Sequence, residues 1–372
     1  MVNYDIDTPA LLMDLGRLKN NISAMASIAR KYGVDLRPHA KTHKTPEIAK
    51  LQIEAGAKGI TVAKLGEAEV MAEAGLGDIL IANQIIGHRK LDRLMTLAEK
   101  IHVMVAVDSD VGAEMLNEAA QQRHVTLEVL IEIDTGVHRC GLSDSGELLG
   151  LAEHISTLSN ITLLGIMTHE GHVEDGCSRA EIKAKSLEAG QEMVSHAEAL
   201  RKAGHDIAVI SVGSTPSAAF IPAVEGITEM RPGTYVFNDV IEVCVGAANW
   251  DQCALSVLAT VISKPRPGTI VVDAGSKALF PEDVRNCFAL SYMSYSGYGY
   301  IKTLPEARIA MLNEEHGVIA THGSAETVKI GDKIEIIPNH VCPTVNLYDE
   351  MYVLQDGQLL DVWQIKARGK TQ

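Results

Sequence analysis

The chain has 372 residues, of which 46% are apolar and 22% charged, a balance typical of a soluble globular protein with about two domains. Its 48 Asp and Glu residues outnumber its 33 Lys and Arg residues, so the formal net charge is −15. A surface with this charge repels phosphate backbones and anionic lipid, which argues against nucleic-acid binding and membrane binding.

The N-terminus reads MVNYDIDTPALLMD and carries acids where a signal peptide needs Lys or Arg. No apolar run approaches the roughly 20 residues of a membrane-spanning helix. We therefore expect a cytoplasmic protein. Its six cysteines contain no CxxC pair, which favours thiols over disulfides in that compartment.

The first part of the chain alternates short β-branched runs with amphipathic stretches rich in Ala, Glu, Lys and Leu. Several runs are apolar throughout, as parallel strands covered on both faces must be. The eight runs span residues 34–40, 59–64, 78–83, 102–107, 126–134, 161–169, 207–212 and 229–237. Eight strand–helix units predict a TIM-type (β/α)8 barrel, with a doubly wound sheet as the alternative.

From residue 245 the pattern changes to strands and turns. Residues 256–275 indicate two strands around a Pro/Gly turn, and an Asp-Gly pair divides residues 350–365 into a hairpin. We predict a barrel domain over residues 1–244 and an antiparallel β domain over residues 245–372.

Barrel enzymes carry their catalytic groups at the C-terminal ends of the strands. Lys41 follows the first predicted strand, within the basic segment at residues 37–44. Nearby cations should lower the pKa of this lysine, and a neutral amine can form a Schiff base with an aldehyde. A solvated basic loop is the alternative interpretation.

Two further polar residues follow the fifth and sixth strands. Arg139 offers a rigid fork of donors, although an ion pair on the barrel rim is equally consistent with its position. His169 can stack on a flat cofactor ring, although a buried structural histidine is the alternative.

Glycine loops follow the seventh and eighth strands. Gly213, Ser214 and Thr215 precede Pro216 at a predicted helix start, and Gly233 adds a backbone donor after the last strand. Such loops bind anions, and barrels commonly hold phosphate after strands seven and eight. We therefore predict a phosphate site here.

The predicted β domain contains His340 and Cys342. On a strand, residues two apart point to the same face, so these side chains can share one metal ion. Imidazole and thiolate are ligands that Zn²⁺ prefers. A core cysteine beside a surface histidine is the alternative.

Taken in order, these motifs resemble those of the D-threonine aldolase and D-serine dehydratase family. The resemblance rests on residues 7–11, 37–44, 213–217, 273–277, 315–317 and 340–344, and so extends over nearly the whole chain. It implies an alanine-racemase-type barrel followed by a β domain, a homodimer with active sites near the interface, pyridoxal phosphate and a divalent metal.

The resemblance also implies roles for individual residues. Lys41 would bind pyridoxal phosphate as a Schiff base, Arg139 would hydrogen-bond its phenolic oxygen, and His169 would lie against its ring. His340 and Cys342 would bind the metal. The residues that would hold the phosphate are Gly213, Ser214, Thr215, Gly233 and Tyr235.

The resemblance further implies a lyase that acts on small D-3-hydroxyamino acids. Family members similar to the dehydratases have Cys at the second metal position, as Cys342 is here, whereas members similar to D-threonine aldolases often have Asp. We therefore expect a dehydratase that gives a 2-keto acid and ammonia, with Zn²⁺ preferred over Mn²⁺ or Mg²⁺. The alternatives are retro-aldol cleavage to glycine and an aldehyde, an amino-acid racemase, and a non-catalytic pyridoxal-phosphate carrier.

Overall fold

A computed structural model describes residues 4–176, 178–282, 296–321 and 328–372, so Cys177 and Cys287 lie outside the described residues. The chain divides into two compact units, each with its own sheet. The barrel unit comprises Ala24–Lys41, Pro46–Gly233 and Gly369–Gln372; the β unit comprises Met1–Ser23, Thr42–Thr45 and Thr234–Arg368. The units thus interleave along the chain, whereas the sequence pattern divides it once, after residue 244.

The first two elements are β1 (Ala10–Asp14) and α1 (Leu15–Tyr32). β1 pairs antiparallel with Leu255–Leu258 and parallel with Tyr352–Leu354, so it belongs to the sheet of the β unit. β1 was not among the predicted strands. A four-residue apolar run fits either a strand or a helix, and here only pairing with distant residues decides between them.

Eight parallel strands form the sheet of the barrel unit and match the eight predicted runs in order. They are β2 (Asp35–Leu36), β3 (Ile60–Val62), β4 (Asp78–Gln84), β5 (His102–Val107), β6 (Leu127–Ile133), β7 (Ile161–Thr168), β8 (Val209–Val212) and β9 (Glu229–Met230). β2 pairs with β9, and a parallel bridge from His39 to Thr61 joins the chain after β2 to β3. The ring is therefore closed, which confirms the barrel rather than the doubly wound sheet.

Helices connect most of these strands. They are α2 (Pro46–Glu54), α3 (Leu65–Glu73), α4 (His88–Ala98), α5 (Asp110–Arg123), α6 (Ser145–Ser156) and α7 (Arg179–Lys202). Each buries an apolar face, as α4 does through Leu91, Leu94 and Met95, which are spaced at helical intervals. Among the described residues, no helix is long and apolar enough to cross a membrane.

The predicted helix start at Pro216 is wrong. Residues 215–220 form turns, followed by a 3-10 turn at Ile221–Ala223. The Ser217 hydroxyl donates to Glu170 Oε1 and lies 3.2 Å from the Ser214 carbonyl. Such bonds between side chains and backbone compete with the helical hydrogen-bond pattern.

Besides the first half of α1, the β unit contains two short helices and nine strands among its described residues. After β1 its elements are α8 (Val240–Cys244), β10 (Leu255–Arg266), β11 (Thr269–Val272), β12 (Tyr300–Ile301), β13 (Arg308–Leu312), β14 (Gly317–Ala320), β15 (Lys333–Ile337), α9 (Val341–Val345), β16 (Glu350–Gln355) and β17 (Gln358–Gln364). Except for the parallel β1–β16 pair, the pairings are antiparallel. The predicted hairpin turns at its Asp-Gly pair, where Asp356 and Gly357 have φ of 51° and 75°.

A buried ion pair crosses the junction of β2 and β9. The Arg37 side chain is 2% exposed, and its Nε donates to Glu229 Oε2 at 2.7 Å. Its Nη1 donates to Asp78 Oδ1 at 2.5 Å. Burial lowers the pKa of Arg37, but Glu229 and Asp78 outweigh burial and leave the pKa raised. The guanidinium is therefore charged and fully paired at the point where the barrel closes.

We predict that Arg37→Met destabilises the protein by about 3–5 kcal/mol, because the buried carboxylate of Glu229 would lose its direct ion-pair partner. Urea denaturation of the variant and the parent protein measures the difference. The matched control is Lys58→Met, which removes a half-exposed pair with Asp35 and should cost less than about 1 kcal/mol. Equal losses in the two variants would contradict the role given to Arg37.

Candidate active site

A cavity of about 320 Å³ lies at the C-terminal ends of the barrel strands. This volume falls within the range of about 300–1,000 Å³ that is usual for small-molecule sites. The cavity is lined by His39, Lys41, Ala63, Ala82, Asn83, Gln84, Glu132, Arg139, Cys140, Met167, His169, Gly213 and Arg231. Four predicted site residues, Lys41, Arg139, His169 and Gly213, thus line one cavity of the barrel unit.

Lys41 reaches this cavity because the chain leaving β2 stays paired with β3. Ala40 N–H donates to the Thr61 carbonyl at 2.7 Å, and Thr61 N–H donates to the Pro38 carbonyl at 2.8 Å. The backbone N–H of Lys41 lies 3.4 Å from His39 Nδ1. Hydrogen bonds to β3 therefore fix the backbone as far as Ala40, the residue before Lys41, and so position the lysine side chain at the cavity.

His169 follows β7 and presents a neutral imidazole to the cavity. Its Nδ1 is 3.0 Å from the Gly213 carbonyl oxygen, so Nδ1 carries the hydrogen and donates it. Burial, and then the charge of Lys41, lower the pKa of His169 to about 3. The ring thus has one tautomer and one orientation at neutral pH.

Arg139 lines the cavity and also forms the rim ion pair considered above. Its side chain is 53% exposed, and its Nη2 lies 3.5 Å from Glu132 Oε1. Glu132 is almost fully buried and accepts a hydrogen bond from Gln84 Nε2 at 2.7 Å. Gln84 Nε2 also donates to Asp108 Oδ2, which accepts the Gly141 N–H as well. The buried carboxylate of Glu132, itself held by Gln84, therefore orients Arg139.

The loop after β8 is organised by Glu170, which the sequence analysis missed. This carboxylate is fully buried and accepts from Gly213 N–H at 2.9 Å and from the Ser217 hydroxyl at 2.5 Å. The Ser214 hydroxyl donates in turn to Ser217 Oγ at 3.0 Å. Both backbone polar groups of Gly213 are thus engaged, its carbonyl by His169 and its N–H by Glu170.

Gly213 has a steric reason to be glycine. A Cβ at this position would lie 2.7 Å from the backbone nitrogen of Arg231. Arg231, also missed as a site residue, is buried and donates to Ser211 Oγ and to the Thr168 carbonyl, each at 2.5 Å. The close approach of the two loops therefore brings a buried guanidinium to the cavity wall.

The other residues predicted to hold phosphate are divided between the units. Ser214 and Thr215 are buried beside Gly213, and Gly233 is in the barrel unit. Tyr235 is buried in a 3-10 turn of the β unit, at Thr234–Val236. That these four residues bind the phosphate of the cofactor stays a prediction.

Two polar side chains on β4, Asn83 and Gln84, also line the cavity and were not predicted. Asn83 Nδ2 donates to the Ala63 carbonyl at 3.1 Å. Their signal in the sequence is weak, because they are only the first polar residues after the apolar run of β4. Such a position marks the functional end of a barrel strand only once the barrel itself is known.

His340 and Cys342 do not lie on a strand, so that prediction is wrong. β15 ends at Ile337; Pro338 follows, and His340 then caps α9, whose first turn contains Cys342 and Pro343. Proline is well tolerated in the first turn of a helix, which explains why this sequence begins one. The two side chains nevertheless meet, because they are hydrogen-bonded to each other.

The surroundings of this histidine–cysteine pair in the β unit are anionic. Burial lowers the pKa of His340, but hydrogen bonds to Cys342 and Glu282 and the charge of Asp239 raise it to about 11. Cys342 Sγ lies 3.2 Å from Thr42 Oγ1 and 3.8 Å from Thr234 Oγ1. Nitrogen and sulfur donors within a negative field are a donor set that fits Zn²⁺.

The pair would supply two protein ligands to such an ion. Across the described ranges of the chain, no group of three or more His, Cys, Asp or Glu side chains is arranged to hold a metal. Open coordination positions would therefore be available to water or substrate, as in catalytic rather than structural zinc sites.

Two family descriptions match the chain along its length. Residues 13–239 match "Alanine racemase, N-terminal domain", and residues 254–354 match "Putative serine dehydratase domain". The first match alone covers more than half of the chain. The fold and these matches define an alanine-racemase-type protein, and enzymes of this fold use pyridoxal phosphate.

Individual relatives show which family of alanine-racemase-type proteins the chain belongs to. The chain is 36% identical over 369 residues to D-threonine aldolase of Arthrobacter sp., covering 98% of this chain and 93% of the aldolase. It is 34% identical over 373 residues to D-threo-3-hydroxyaspartate dehydratase of Delftia sp. (strain HT23), covering 96% of this chain and 97% of the dehydratase. The chain therefore belongs to the D-threonine aldolase and D-serine dehydratase family, as the sequence motifs predicted.

Solved structures agree with this assignment. The crystal structure of D-threonine aldolase from Filomicrobium marinum has a TM-score of 0.91 at 32% identity and covers 99% of this chain and 97% of that one. The Delftia dehydratase has a TM-score of 0.90 at 33% identity, with 97% of each chain covered. Two variants of this dehydratase have also been solved. In one, a histidine is replaced by alanine. In the other, the cysteine two residues further on is replaced by alanine, and that structure is of a metal-free form.

We predict that His169→Gln makes the stability of the apoprotein less sensitive to acid. The folded-state pKa of about 3 lies below the ordinary value of 6.5, so the unfolded state takes up a proton first as the pH falls. The parent protein should therefore lose stability between about pH 6.5 and about pH 3, and glutamine removes this contribution.

Thermal unfolding at about pH 7 and about pH 4.5 measures the effect. The unfolding temperature of His169→Gln should fall less than that of the parent. His88→Gln, which removes an exposed histidine, is the matched control and should follow the parent. An equal fall in His169→Gln and the parent would contradict the buried, neutral state of His169.

Proposed function

We propose that this chain is a pyridoxal-phosphate- and divalent-metal-dependent lyase that converts D-3-hydroxyamino acids to 2-keto acids and ammonia. The observation that carries the proposal is the strand-end cavity lined by Lys41, Arg139 and His169. The names of the relatives, which include D-threo-3-hydroxyaspartate dehydratase and D-serine dehydratase, support the substrate class.

The residues of the cavity fit pyridoxal phosphate. Lys41 brings a primary amine for the covalent link to an aldehyde, and the neutral ring of His169 brings a flat face held by Gly213. Arg139 brings a donor for an oxygen on the ring. When bound, pyridoxal phosphate supplies an electron-withdrawing ring that takes up the charge released at Cα of an amino acid.

Of the chain's own groups, Lys41 would move a proton, and the others would hold the cofactor in place. Lys41 Nζ, when it is not bonded to the cofactor, would be a free base suited to remove the Cα proton of the substrate. Burial and the charge of Lys41 lower the pKa of His169, so its neutral ring would hold the cofactor ring in place. Glu170 would keep Gly213 and Ser217 in the geometry of the phosphate loop, with Ser214, Thr215, Gly233 and Tyr235 as the proposed phosphate ligands.

His340 and Cys342 would hold the divalent ion, for which we propose Zn²⁺ over Mn²⁺ or Mg²⁺ because thiolate is a soft ligand. When bound, the ion supplies a Lewis acid for the departing 3-hydroxyl. The spacing supports this, since the histidine and cysteine replaced in the Delftia variants are also two residues apart.

Retro-aldol cleavage to glycine and an aldehyde is the second candidate function. It is supported by the D-threonine aldolases among the relatives and solved structures. The same groups serve both reactions, and they differ in whether Cα loses its proton or its bond to Cβ. We favour dehydration because of Cys342, which the resemblance associates with dehydratases. A racemase or a pyridoxal-phosphate carrier would have no use for a pair of metal ligands such as His340 and Cys342. The homodimer and the cytoplasmic location stay predictions.

We predict that the purified holoenzyme forms keto acid from at least one of D-serine, D-threonine and D-3-hydroxyaspartate, while L-serine and L-threonine are inert. Keto acid and glycine are assayed separately. Chelation should abolish turnover and leave the pyridoxal absorbance, because Lys41 does not depend on the metal. Glycine without keto acid would instead establish the aldolase reaction, and equal turnover of both enantiomers would exclude both lyases.

We also predict that Lys41 is the residue that binds the cofactor. Borohydride reduction of the holoenzyme followed by peptide mapping should label Lys41. The Lys41→Ala variant should take up no label and lose more than about 100-fold in activity. Lys44 and Lys64 are internal controls in the same digests, and a label on either one in place of Lys41 would refute the assignment.

A further inference from the structure

The imidazole of His340 contacts a carboxylate outside every motif found in the sequence. His340 Nδ1 is 2.7 Å from Glu282 Oε2, although the two residues are 58 positions apart in the chain. A ring nitrogen that donates its hydrogen to a carboxylate has no lone pair for a metal. The contact therefore leaves Nε2 as the nitrogen that can bind an ion.

We propose that Glu282 is a positioning residue for the divalent metal. It selects the tautomer of His340, orients the ring so that Nε2 is presented to the ion, and increases the basicity of that nitrogen. This inference rests on the metal-dependent function proposed above. Carboxylates in such a position contribute about 10- to 100-fold to metal affinity.

The backbone of Glu282 is tied to the residue that precedes His340. Asn339 is 1% exposed, and its Nδ2 donates to the Glu282 carbonyl at 2.6 Å and to the Gly297 carbonyl at 2.7 Å. Because Asn339 and His340 are adjacent, this amide keeps the carboxylate of Glu282 beside the imidazole. The contact thus joins two half-buried side chains to a buried amide, and is not a chance meeting of two surface side chains.

The main chain on the other side of His340 is also anchored. Val341 N–H donates to Asp239 Oδ2 at 2.9 Å, and Asp239 Oδ1 accepts the Glu242 N–H at 2.9 Å. The Thr344 hydroxyl donates to the His340 carbonyl at 2.8 Å. With the backbone held on both sides, the remaining freedom of the imidazole is rotation about its own side-chain bonds, which is the freedom that Glu282 removes.

Glu282 does not act as a third ligand in this arrangement. Within the part of the chain that the structure describes, it forms no three-residue metal cluster with His340 and Cys342. Its carboxylate instead meets the imidazole nitrogen that points away from the proposed ion. The two roles make different predictions for the metal's coordination, which an experiment can separate.

The test measures Zn²⁺ affinity of the holoenzyme by competition with a chelator, for the parent, Glu282→Gln and Glu282→Ala. We expect Glu282→Ala to weaken binding by about 10- to 100-fold. Glu282→Gln should lie between it and the parent, because glutamine still accepts the Nδ1 hydrogen but carries no charge. The pyridoxal absorbance and the unfolding temperature should stay at the parent values.

The matched control is Glu315→Gln, which removes an exposed carboxylate of the β unit that pairs with Lys277. Its Zn²⁺ affinity should stay within about twofold of the parent, because exposed pairs contribute little. The absorption spectrum of the Co²⁺-loaded protein is the second readout. Its band positions should report an unchanged number of protein ligands in Glu282→Gln.

Three results would overturn the inference. They are unchanged Zn²⁺ affinity in both Glu282 variants, a loss of affinity accompanied by loss of the pyridoxal absorbance and of thermal stability, and a Co²⁺ spectrum with one protein ligand fewer. The variant His340→Ala shows whether the role of Glu282 alone is wrong or whether the proposed metal site is wrong as well. If it binds Zn²⁺ as the parent does, the metal site itself is wrong; if it loses Zn²⁺ while the Glu282 variants keep it, only the role of Glu282 fails.

Discussion

The closure of the barrel sheet depends on two strands of only two residues each, β2 and β9. Two short strands contribute few ladder hydrogen bonds, so the buried ion pair between Arg37 and Glu229 supplies a directional contact across the junction. Glu229 also accepts the Ser211 hydroxyl at 2.6 Å, which extends the contact to β8. Two residues that line the cavity come soon after this ion pair in the chain: Lys41 is four positions after Arg37, and Arg231 is two positions after Glu229.

Buried carboxylates organise the loops in both units by the same means, the acceptance of backbone N–H groups. Glu170 holds the loop after β8 at Gly213, and Asp239 holds α8 and α9 through Glu242 and Val341. Glu67 likewise accepts the N–H groups of residues 63 and 64 at the end of β3. A carboxylate serves well here, because it accepts two or more N–H groups that a loop would otherwise leave unpaired.

The sequence predicts the barrel well, because its evidence is local and repeated: eight runs of the same kind at regular intervals. It does not predict β1, whose partners are more than 200 positions away in the chain. Glu170 and Glu282 were missed for a related reason. A carboxylate carries no pattern of its own, and its role appears only when folding brings it to Gly213 or His340.

His340 and Cys342 show how two side chains can meet as a motif predicts although the backbone that brings them together differs from the predicted one. A spacing of two brings side chains together on a strand, which was the expected backbone. It does so here between the cap and the first turn of a helix, because Pro338 and Pro343 make a helix start easier to form than a continued strand. Residue types and spacing thus carried more information than the predicted secondary structure.

The sign of the local charge, rather than the net charge of −15, determines what each unit can bind. The cavity of the barrel unit contains Lys41, Arg139 and Arg231, and this cationic setting contributes to lowering the pKa of His169. Around His340 the neighbours are anionic, and its pKa is raised. The two histidines are therefore shifted in opposite directions by their surroundings: burial and three cationic side chains lower the pKa of His169, and anionic neighbours raise the pKa of His340.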